Sequence, residues 1–117
     1  MNTYNPGLHI VATISASADM LNDMELCRML FDNTVEKLLL QKVGDAYHKF
    51  TEGGYTGVVC LTESHCSIHT WPEYGIATFD VFLSNFRQEN DSKVREFFDF
   101  VVNGLNGTVV SKQEIKR

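Results

Sequence analysis

Basic residues are scarce in this chain, with 10 Lys and Arg against 15 Asp and Glu, and the net charge is −5. They form no cluster, so the sequence predicts binding neither to nucleic acid nor to an anionic membrane. No apolar run approaches the roughly 20 residues that a membrane-spanning helix requires. The N-terminus has no basic segment followed by an apolar stretch of signal-peptide length, and we therefore expect no targeting signal.

Cysteine is also scarce, and the three thiols of Cys27, Cys60 and Cys66 cannot form a fully paired disulfide framework. Reduced thiols are typical of cytoplasmic proteins, and we expect a cytoplasmic location. The 117 residues, of which 44% are hydrophobic, fit one domain over residues 1–117 with a single, modest core.

Apolar periodicity predicts the element order β-α-β-β-β-α-β. Residues 8–15, LHIVATIS, are β-branched and apolar, which is typical of a strand. Residues 17–41 repeat apolar side chains at helical spacing and predict one long amphipathic helix, with Asp19 or Asn22 as its N-cap. The remaining predicted elements are strands at 45–51, 55–62 and 76–84, a helix that begins after Asn90 or Asp91, and a final strand at 108–115.

This order favours an α+β fold, a two-layer sandwich of a mostly antiparallel sheet with two helices on one face. The other face of such a sheet has to meet water or a partner. The sequence contains no internal repeat and no linker, which agrees with a single folded unit.

Polar functional groups concentrate in residues 62–73, between apolar strands, and such a conflict with burial often marks a functional site. His65 and His69 have the spacing of metal ligands on a helix, but a nearby proline and β-forming residues argue against a helix, and we predict no metal. A serine hydrolase is a second possibility, although Ser64 lacks the flanking glycines of a nucleophile elbow. The third is self-cleavage, in which the Ser64 hydroxyl attacks the carbonyl of Glu63. Composition and spacing do not select among these chemistries.

The segment ESHCSIHTWPEYG, residues 63–75, closely resembles the ESHLSIHTWPEYG motif of the prokaryotic S-adenosylmethionine decarboxylase proenzymes. HKF at 48–50, YTGVV at 55–59 and ATFDVF at 77–82 resemble further elements of that family. PGLH at 6–9 is a looser match to the start of the family pattern. The matches span most of the chain, and the central motif is long enough to be highly specific.

The resemblance implies cleavage between Glu63 and Ser64. Residues 1–63 would become the β chain and residues 64–117 the α chain, with Ser64 converted to a pyruvoyl group that serves as the cofactor. In the family, this group forms a Schiff base with the substrate amine and accepts electrons as carbon dioxide leaves.

The resemblance also implies roles for other residues. His69 would remove the Cα proton during processing, and Thr56 occupies the position of a family serine whose hydroxyl assists that process. Phe50 and Trp71 match aromatic positions that sandwich the adenine of the small-molecule substrate, an arrangement suited to a cationic sulfonium ligand. Glu73 matches an acidic position near the nucleoside. The family further implies a homodimer of αβ protomers with its sites near the interface.

Two positions depart from the family pattern. Ser84 stands where the family carries a cysteine that donates the catalytic proton, and a hydroxyl is a much weaker acid than a thiol with a pKa of about 8.5. Cys66 stands where the family has leucine, so it is a candidate thiol of the substrate site or a small apolar core residue. The leading prediction is an S-adenosylmethionine decarboxylase that supplies the aminopropyl donor for spermidine and other polyamines. The alternatives are a pyruvoyl-dependent decarboxylase of ornithine or arginine and a noncatalytic regulatory homologue.

Overall fold

A computed structural model describes residues 3–117 as one sheet with three helices. The strands are β1 Leu8–Ser15, β2 Lys42–Lys49, β3 Tyr55–Leu61, β4 Ser64–Trp71, β5 Ile76–Leu83 and β6 Thr108–Lys116. The helices are α1 Ala18–Asn22, α2 Met24–Lys37 and α3 Asp91–Gly104, and a single 3-10 turn spans Pro72–Tyr74. Among the described residues, no helix has the length and apolar character needed to cross a membrane.

The strands lie in the order β2-β3-β4-β5-β1-β6, and every neighbouring pair is antiparallel. This confirms the predicted α+β class with its antiparallel sheet. The sheet has six strands where the pattern predicted five, because the polar motif itself forms β4. Its inward positions include Cys66 and Thr70 and its outward ones include two histidines. The two faces therefore differ little in hydrophobicity, and the sequence pattern did not predict a strand here.

The predicted long helix over 17–41 is wrong, since the structure divides it into α1 and α2. Ser17 caps α1, and the side chain of Asp23 caps α2. Asp19 and Asn22 are therefore not the N-caps that the sequence pattern predicted. The short side chain of aspartate hydrogen-bonds nearby backbone amides and favours a helix start over a helix interior, which accounts for the break.

The core lies between the helices and one face of the sheet. Its centre is an aromatic cluster in which Phe31 of α2, Phe79 of β5 and Phe97 of α3 have ring centroids between 5.9 and 6.4 Å apart. All three rings are nearly inaccessible to solvent, and burial of apolar area of this kind is the main stabilising contribution. The inward residues of β1, β3, β4 and β5 belong to the same core, so the opposite face of the sheet is left without helices.

Turns at both ends of β4 position the site residues. At its start, β3 and β4 form a hairpin in which Leu61 pairs with Ser64, so that the two-residue loop ends at Glu63. At its other end, Gly54 has a φ of +86°, and a Cβ there would lie 2.8 Å from the carbonyl oxygen of Thr70. Glycine therefore allows the turn before β3 to pack tightly against the end of β4.

Candidate active site

The predicted cleavage point, between Glu63 and Ser64, lies at the tip of the β3–β4 hairpin. Ser64 has a φ of +150°, a conformation that residues with a Cβ rarely adopt and that costs on the order of 1–3 kcal/mol. Two other non-glycine residues among 3–117 have positive φ, Leu39 and Asn106, and both have ordinary left-handed values just after a helix. The strained position in the sheet is thus the serine that the motif identifies.

Ser84 lies beside this bond because it directly follows Leu83, which pairs with Ser64 in the sheet. The backbone N–H of Ser84 donates a hydrogen bond of 2.7 Å to the carbonyl oxygen of Glu63. A fixed N–H aimed at a carbonyl oxygen stabilises the negative charge that develops there when the carbonyl carbon is attacked. Glu63 and Ser84 also line one cleft of about 380 Å³. The structure therefore brings Glu63, Ser64 and Ser84 together.

The other predicted site residues gather at the opposite end of β4. Five of them line one cleft of about 420 Å³: Phe50, Thr56, His69, Trp71 and Glu73. The rings of Phe50 and Trp71 are 47% and 40% exposed, so both have surface available to stack on a ligand. Glu52, Gly53, Tyr55 and Thr70 complete the cleft and were not predicted from the sequence.

Within this cleft, Thr56 and His69 are directly opposite each other on β3 and β4. The Thr56 hydroxyl and the Nδ1 atom of His69 are hydrogen-bonded. A histidine held through one ring nitrogen keeps a fixed orientation and can exchange a proton at the other. The structure therefore joins Thr56 and His69, which were predicted separately as processing residues, in one contact that is suited to proton transfer.

The two groups of residues are far apart within one chain. Ser64 and His69 are five residues apart on β4, which corresponds to roughly 16 Å along a strand. The pairing of β4 with β3 and with β5 continues without a register shift, so no bend shortens that distance. An odd spacing also assigns the two side chains to opposite faces. One chain therefore does not bring His69 to Ser64.

Cys66 lies away from both clefts. Its side chain is fully buried in the core beneath the helices, and burial raises the pKa of its thiol well above the ordinary value. A buried, protonated thiol neither contacts a ligand in the clefts nor replaces the missing cysteine at position 84. The structure thus assigns Cys66 to the core, which corrects its prediction as a substrate-site residue.

A polar cluster on the helix-free face of the sheet was not predicted. Oδ2 of Asp80 lies 2.7 Å from Nε2 of His9 and 3.0 Å from Nε2 of His65, and Ser67 donates to Oδ1. Burial by itself raises the pKa of Asp80, but these hydrogen bonds outweigh it and the pKa is lowered. The ligand-type atoms of the two histidines and the aspartate lie within 4.8 Å of one another. The alternation of inward and outward residues along each strand could have assigned these side chains to one face of the sheet. The strand order that brings them together could not be inferred from the sequence pattern.

This architecture and its two clefts define a small α+β protein with a ligand-binding cleft and a strained chain segment. A family model described as S-adenosylmethionine decarboxylase matches residues 8–117. The chain belongs to the S-adenosylmethionine decarboxylase family.

Individual relatives agree with that assignment. A protein of Aquifex aeolicus named S-adenosylmethionine decarboxylase proenzyme is 39% identical over 95% of this chain and 80% of its own length. A Picrophilus torridus protein of the same name is 31% identical over 95% of this chain and 83% of its own length. The crystal structure of the adenosylmethionine decarboxylase from Aquifex aeolicus superposes with a TM-score of 0.85 at 37% identity, covering 98% of this chain and 92% of that one.

Proposed function

We propose that this chain is a cytoplasmic, self-processing S-adenosylmethionine decarboxylase that makes the aminopropyl donor for spermidine and other polyamines. The observation that carries the proposal is the strained Ser64, whose preceding carbonyl accepts the backbone N–H of Ser84 at 2.7 Å. Membership of the family identifies the substrate class, and three cysteines without disulfide partners suit a reducing compartment.

Maturation begins when the Ser64 hydroxyl attacks the carbonyl carbon of Glu63. The hydroxyl oxygen forms a bond to that carbon, the peptide C–N bond breaks, and the freed nitrogen takes up the proton, so an ester replaces the amide. The N–H of Ser84 stabilises the oxygen that carries negative charge during the attack. A base then removes the Cα proton of residue 64, a Cα–Cβ double bond forms, and the Cβ–O bond of the ester breaks, so that Glu63 leaves as a free carboxylate. The dehydroalanine left at the new N-terminus tautomerises to an imine, and water hydrolyses the imine to the pyruvoyl ketone with release of ammonia. His69, held by Thr56, is the candidate base.

The residues of the cleft that contains His69 suit the substrate. Phe50 and Trp71 offer two exposed aromatic faces for an adenine ring and for a sulfonium cation. The carboxylate of Glu73 can accept hydrogen bonds from ribose hydroxyls. Ser64 fits the formation of a pyruvoyl group, because its strain and the Ser84 contact both favour attack on the preceding carbonyl. Such a group supplies a conjugated carbonyl that accepts the electron pair released with carbon dioxide.

A complete site requires a second copy of the chain. His69 and the adenine cleft lie roughly 16 Å along β4 from Ser64, whereas each copy holds both halves at its two ends. A homodimer places the His69 end of one protomer against the Ser64 end of its partner. The helix-free sheet face offers a surface for this pairing, and twofold symmetry then creates two equal sites.

The proposal is tested by intact-mass measurement followed by a substrate panel. The purified protein should contain two chains divided between Glu63 and Ser64, with a carbonyl at the new N-terminus. Carbon dioxide release should be fastest with S-adenosylmethionine when ornithine, arginine and lysine are compared. An intact single chain without a carbonyl would refute the enzymatic function, and faster release from a basic amino acid would change the substrate.

The shared site is tested by mixing two inactive chains. Ser64→Ala lacks the nucleophile and His69→Ala lacks the base, so neither should mature alone. Coexpressed in equal amounts, they should form mixed dimers in which the His69→Ala chain is cleaved, reaching about half of those chains with random pairing. Absence of cleavage in mixed dimers verified by two affinity tags would show that the sites are not shared.

A further inference from the structure

A buried asparagine, Asn90, connects Glu63, the residue before the proposed cleavage bond, and Ser84, which lies beside that bond, to helix α3. Its side chain is fully inaccessible to solvent. The Nδ2 atom donates to Oε2 of Glu63 at 3.0 Å and to the carbonyl oxygen of Ser84 at 2.8 Å. Asn90 is the residue before α3, but its side chain makes no capping hydrogen bond to the helix. The side-chain amide of Asn90 thus donates to Glu63, which precedes the bond, and to Ser84, whose N–H contacts the Glu63 carbonyl.

Asn85 holds Asn90 in turn. Its Oδ1 atom accepts the backbone N–H of Asn90 at 2.6 Å. Its Nδ2 atom donates to the carbonyl of Pro6 at 3.0 Å and to Oδ1 of Asp91 at 2.9 Å. Asn85 is only 4% exposed, so these bonds are shielded from water and contribute more than surface bonds do. The loop between β5 and α3 is therefore fixed to the start of β1 and to the helix.

These hydrogen bonds also fix the backbone of Ser84. Its carbonyl is held by Asn90, and its N–H is the donor to the Glu63 carbonyl oxygen at 2.7 Å. A donor that stabilises developing charge has to be placed to within a few tenths of an ångström. Rotation of this loop would move the N–H away from the oxygen.

We propose that Asn90 is a positioning residue for self-cleavage, acting through the Glu63 side chain and the Ser84 backbone. This role rests on the maturation proposed above. The step it serves is the first one, in which the Ser64 hydroxyl oxygen bonds to the Glu63 carbonyl carbon, the C–N bond breaks, and the hydroxyl proton moves to the nitrogen. Asn90 touches no reacting atom. It holds the acceptor and the N–H donor in register while charge develops on the carbonyl oxygen.

The test is the rate of chain cleavage in Asn90→Asp, with Asn103→Asp as the matched control. The two variants make the same chemical change, but Asn103 is an exposed residue of α3. Asn90→Asp loses both donated bonds and places a carboxylate beside Glu63. We expect cleavage to slow roughly 10- to 100-fold, and the control to cleave at the wild-type rate.

Hydroxylamine identifies the step that is slowed, because it splits the chain between residues 63 and 64 only where an ester has replaced the amide. Cleavage at Asn103–Gly104 or Asn106–Gly107 gives fragments of different mass and is not counted. The uncleaved Asn90→Asp chain should resist hydroxylamine, since its block precedes the ester, whereas uncleaved His69→Ala should be split by it. A hydroxylamine-sensitive Asn90→Asp chain would overturn the proposal, and so would a wild-type cleavage rate. A wild-type chain that is never cleaved would refute the maturation itself. This outcome distinguishes failure of the proposed maturation from failure of the role proposed for Asn90.

A second variant covers the possibility that Asn90→Asp does not fold. Glu63→Ala removes one of the two bonds from the partly exposed hairpin tip and buries no new charge. It should fold with an unchanged circular dichroism spectrum and cleave roughly fivefold more slowly, again as a hydroxylamine-resistant chain. A wild-type rate in a folded Glu63→Ala protein would overturn the role of the Glu63 contact and, with it, the proposal.

Discussion

The two ends of β4 are built in opposite ways. The Ser64 end is strained and internally fixed, with a backbone N–H on one carbonyl and buried amides around it. The His69 end is open, and Phe50 and Trp71 are 47% and 40% exposed in a cleft of about 420 Å³. A bond that must break requires fixed atoms, whereas a ligand that enters and leaves requires an accessible surface. The difference suggests that one strand carries a processing end and a binding end, which meet between protomers.

The largest expected effect is at the processing end. Ser64→Ala removes the attacking hydroxyl, so cleavage and decarboxylation should both fall below detection. The methyl side chain leaves β4 intact, and the purified protein should be a folded chain of 13.3 kDa. Intact-mass spectrometry checks this outcome, with Ser67→Ala as a serine control three positions further along β4, on its opposite face. Cleavage of the Ser64→Ala chain between residues 63 and 64 would show that the Ser64 hydroxyl is not the attacking group. The Ser64 end would then not be the processing end.

Sequence patterns predicted part of this architecture well. The strand at 8–15 was predicted at its observed bounds, because its apolar residues are β-branched and continuous. The helix beginning at Asn90 or Asp91 was also predicted, since Val94, Phe97 and Val101 recur at helical spacing. β4 was missed because histidine, cysteine and threonine share a strand whose two faces differ little in hydrophobicity.

The candidate site could be predicted only in part. The motif resemblance identified the residues of both ends, and the spacing of five already assigned Ser64 and His69 to opposite faces. The resemblance also grouped Phe50, Trp71 and Glu73 as substrate residues, and the fold was needed to show that they line one cleft with Thr56 and His69. The contact of Asn90 with Glu63 joins residues 27 positions apart, and no local pattern encodes such a pair.

The second largest expected effect distinguishes the role of the Ser84 side chain in decarboxylation from the role of its backbone N–H in chain cleavage. Ser84→Cys restores the thiol found at the matching position of the family, and a thiol is a far stronger acid than a hydroxyl. We expect kcat for decarboxylation to rise roughly 100-fold, the lower end of what general acid catalysis contributes. The cleavage rate should change less, because the backbone N–H remains. Steady-state kinetics measures this, with Ser92→Cys on the exposed surface of α3 as the control. An unchanged or reduced kcat would mean that position 84 acts only through its backbone.

The binding end should respond in KM. Trp71→Ala removes one of the two exposed aromatic faces, and KM for S-adenosylmethionine should rise roughly tenfold, since an aromatic contact contributes about 1 kcal/mol beyond its buried area. Tyr74→Ala is the matched control, because Tyr74 is 75% exposed and does not line the cleft. Chain cleavage should proceed in both variants. Loss of cleavage in Trp71→Ala, or normal cleavage with an unchanged KM, would contradict the assignment of Trp71 to the binding end.

The smallest expected effect concerns the cluster between the two ends, and it is measured as stability. Burial alone raises the pKa of Asp80, but hydrogen bonds from Ser67, His9 and His65 outweigh it and lower the pKa. An acid with a lowered pKa stabilises the fold above its unfolded pKa of about 3.9, and that stabilisation is lost as the pH falls below this value toward the folded pKa.

Asp80→Asn should therefore reduce the free energy of unfolding by about 1–3 kcal/mol at pH 7. The difference from wild type should shrink below about pH 4, because Asp80 is protonated in the unfolded chain at a higher pH than in the folded chain. Urea unfolding at several pH values measures this, with the exposed Asp99→Asn as the control. If the difference stays constant from pH 7 to pH 3, the charge of Asp80 is not what stabilises the middle of β4. The two ends would then depend on the packing of the sheet alone for their fixed separation.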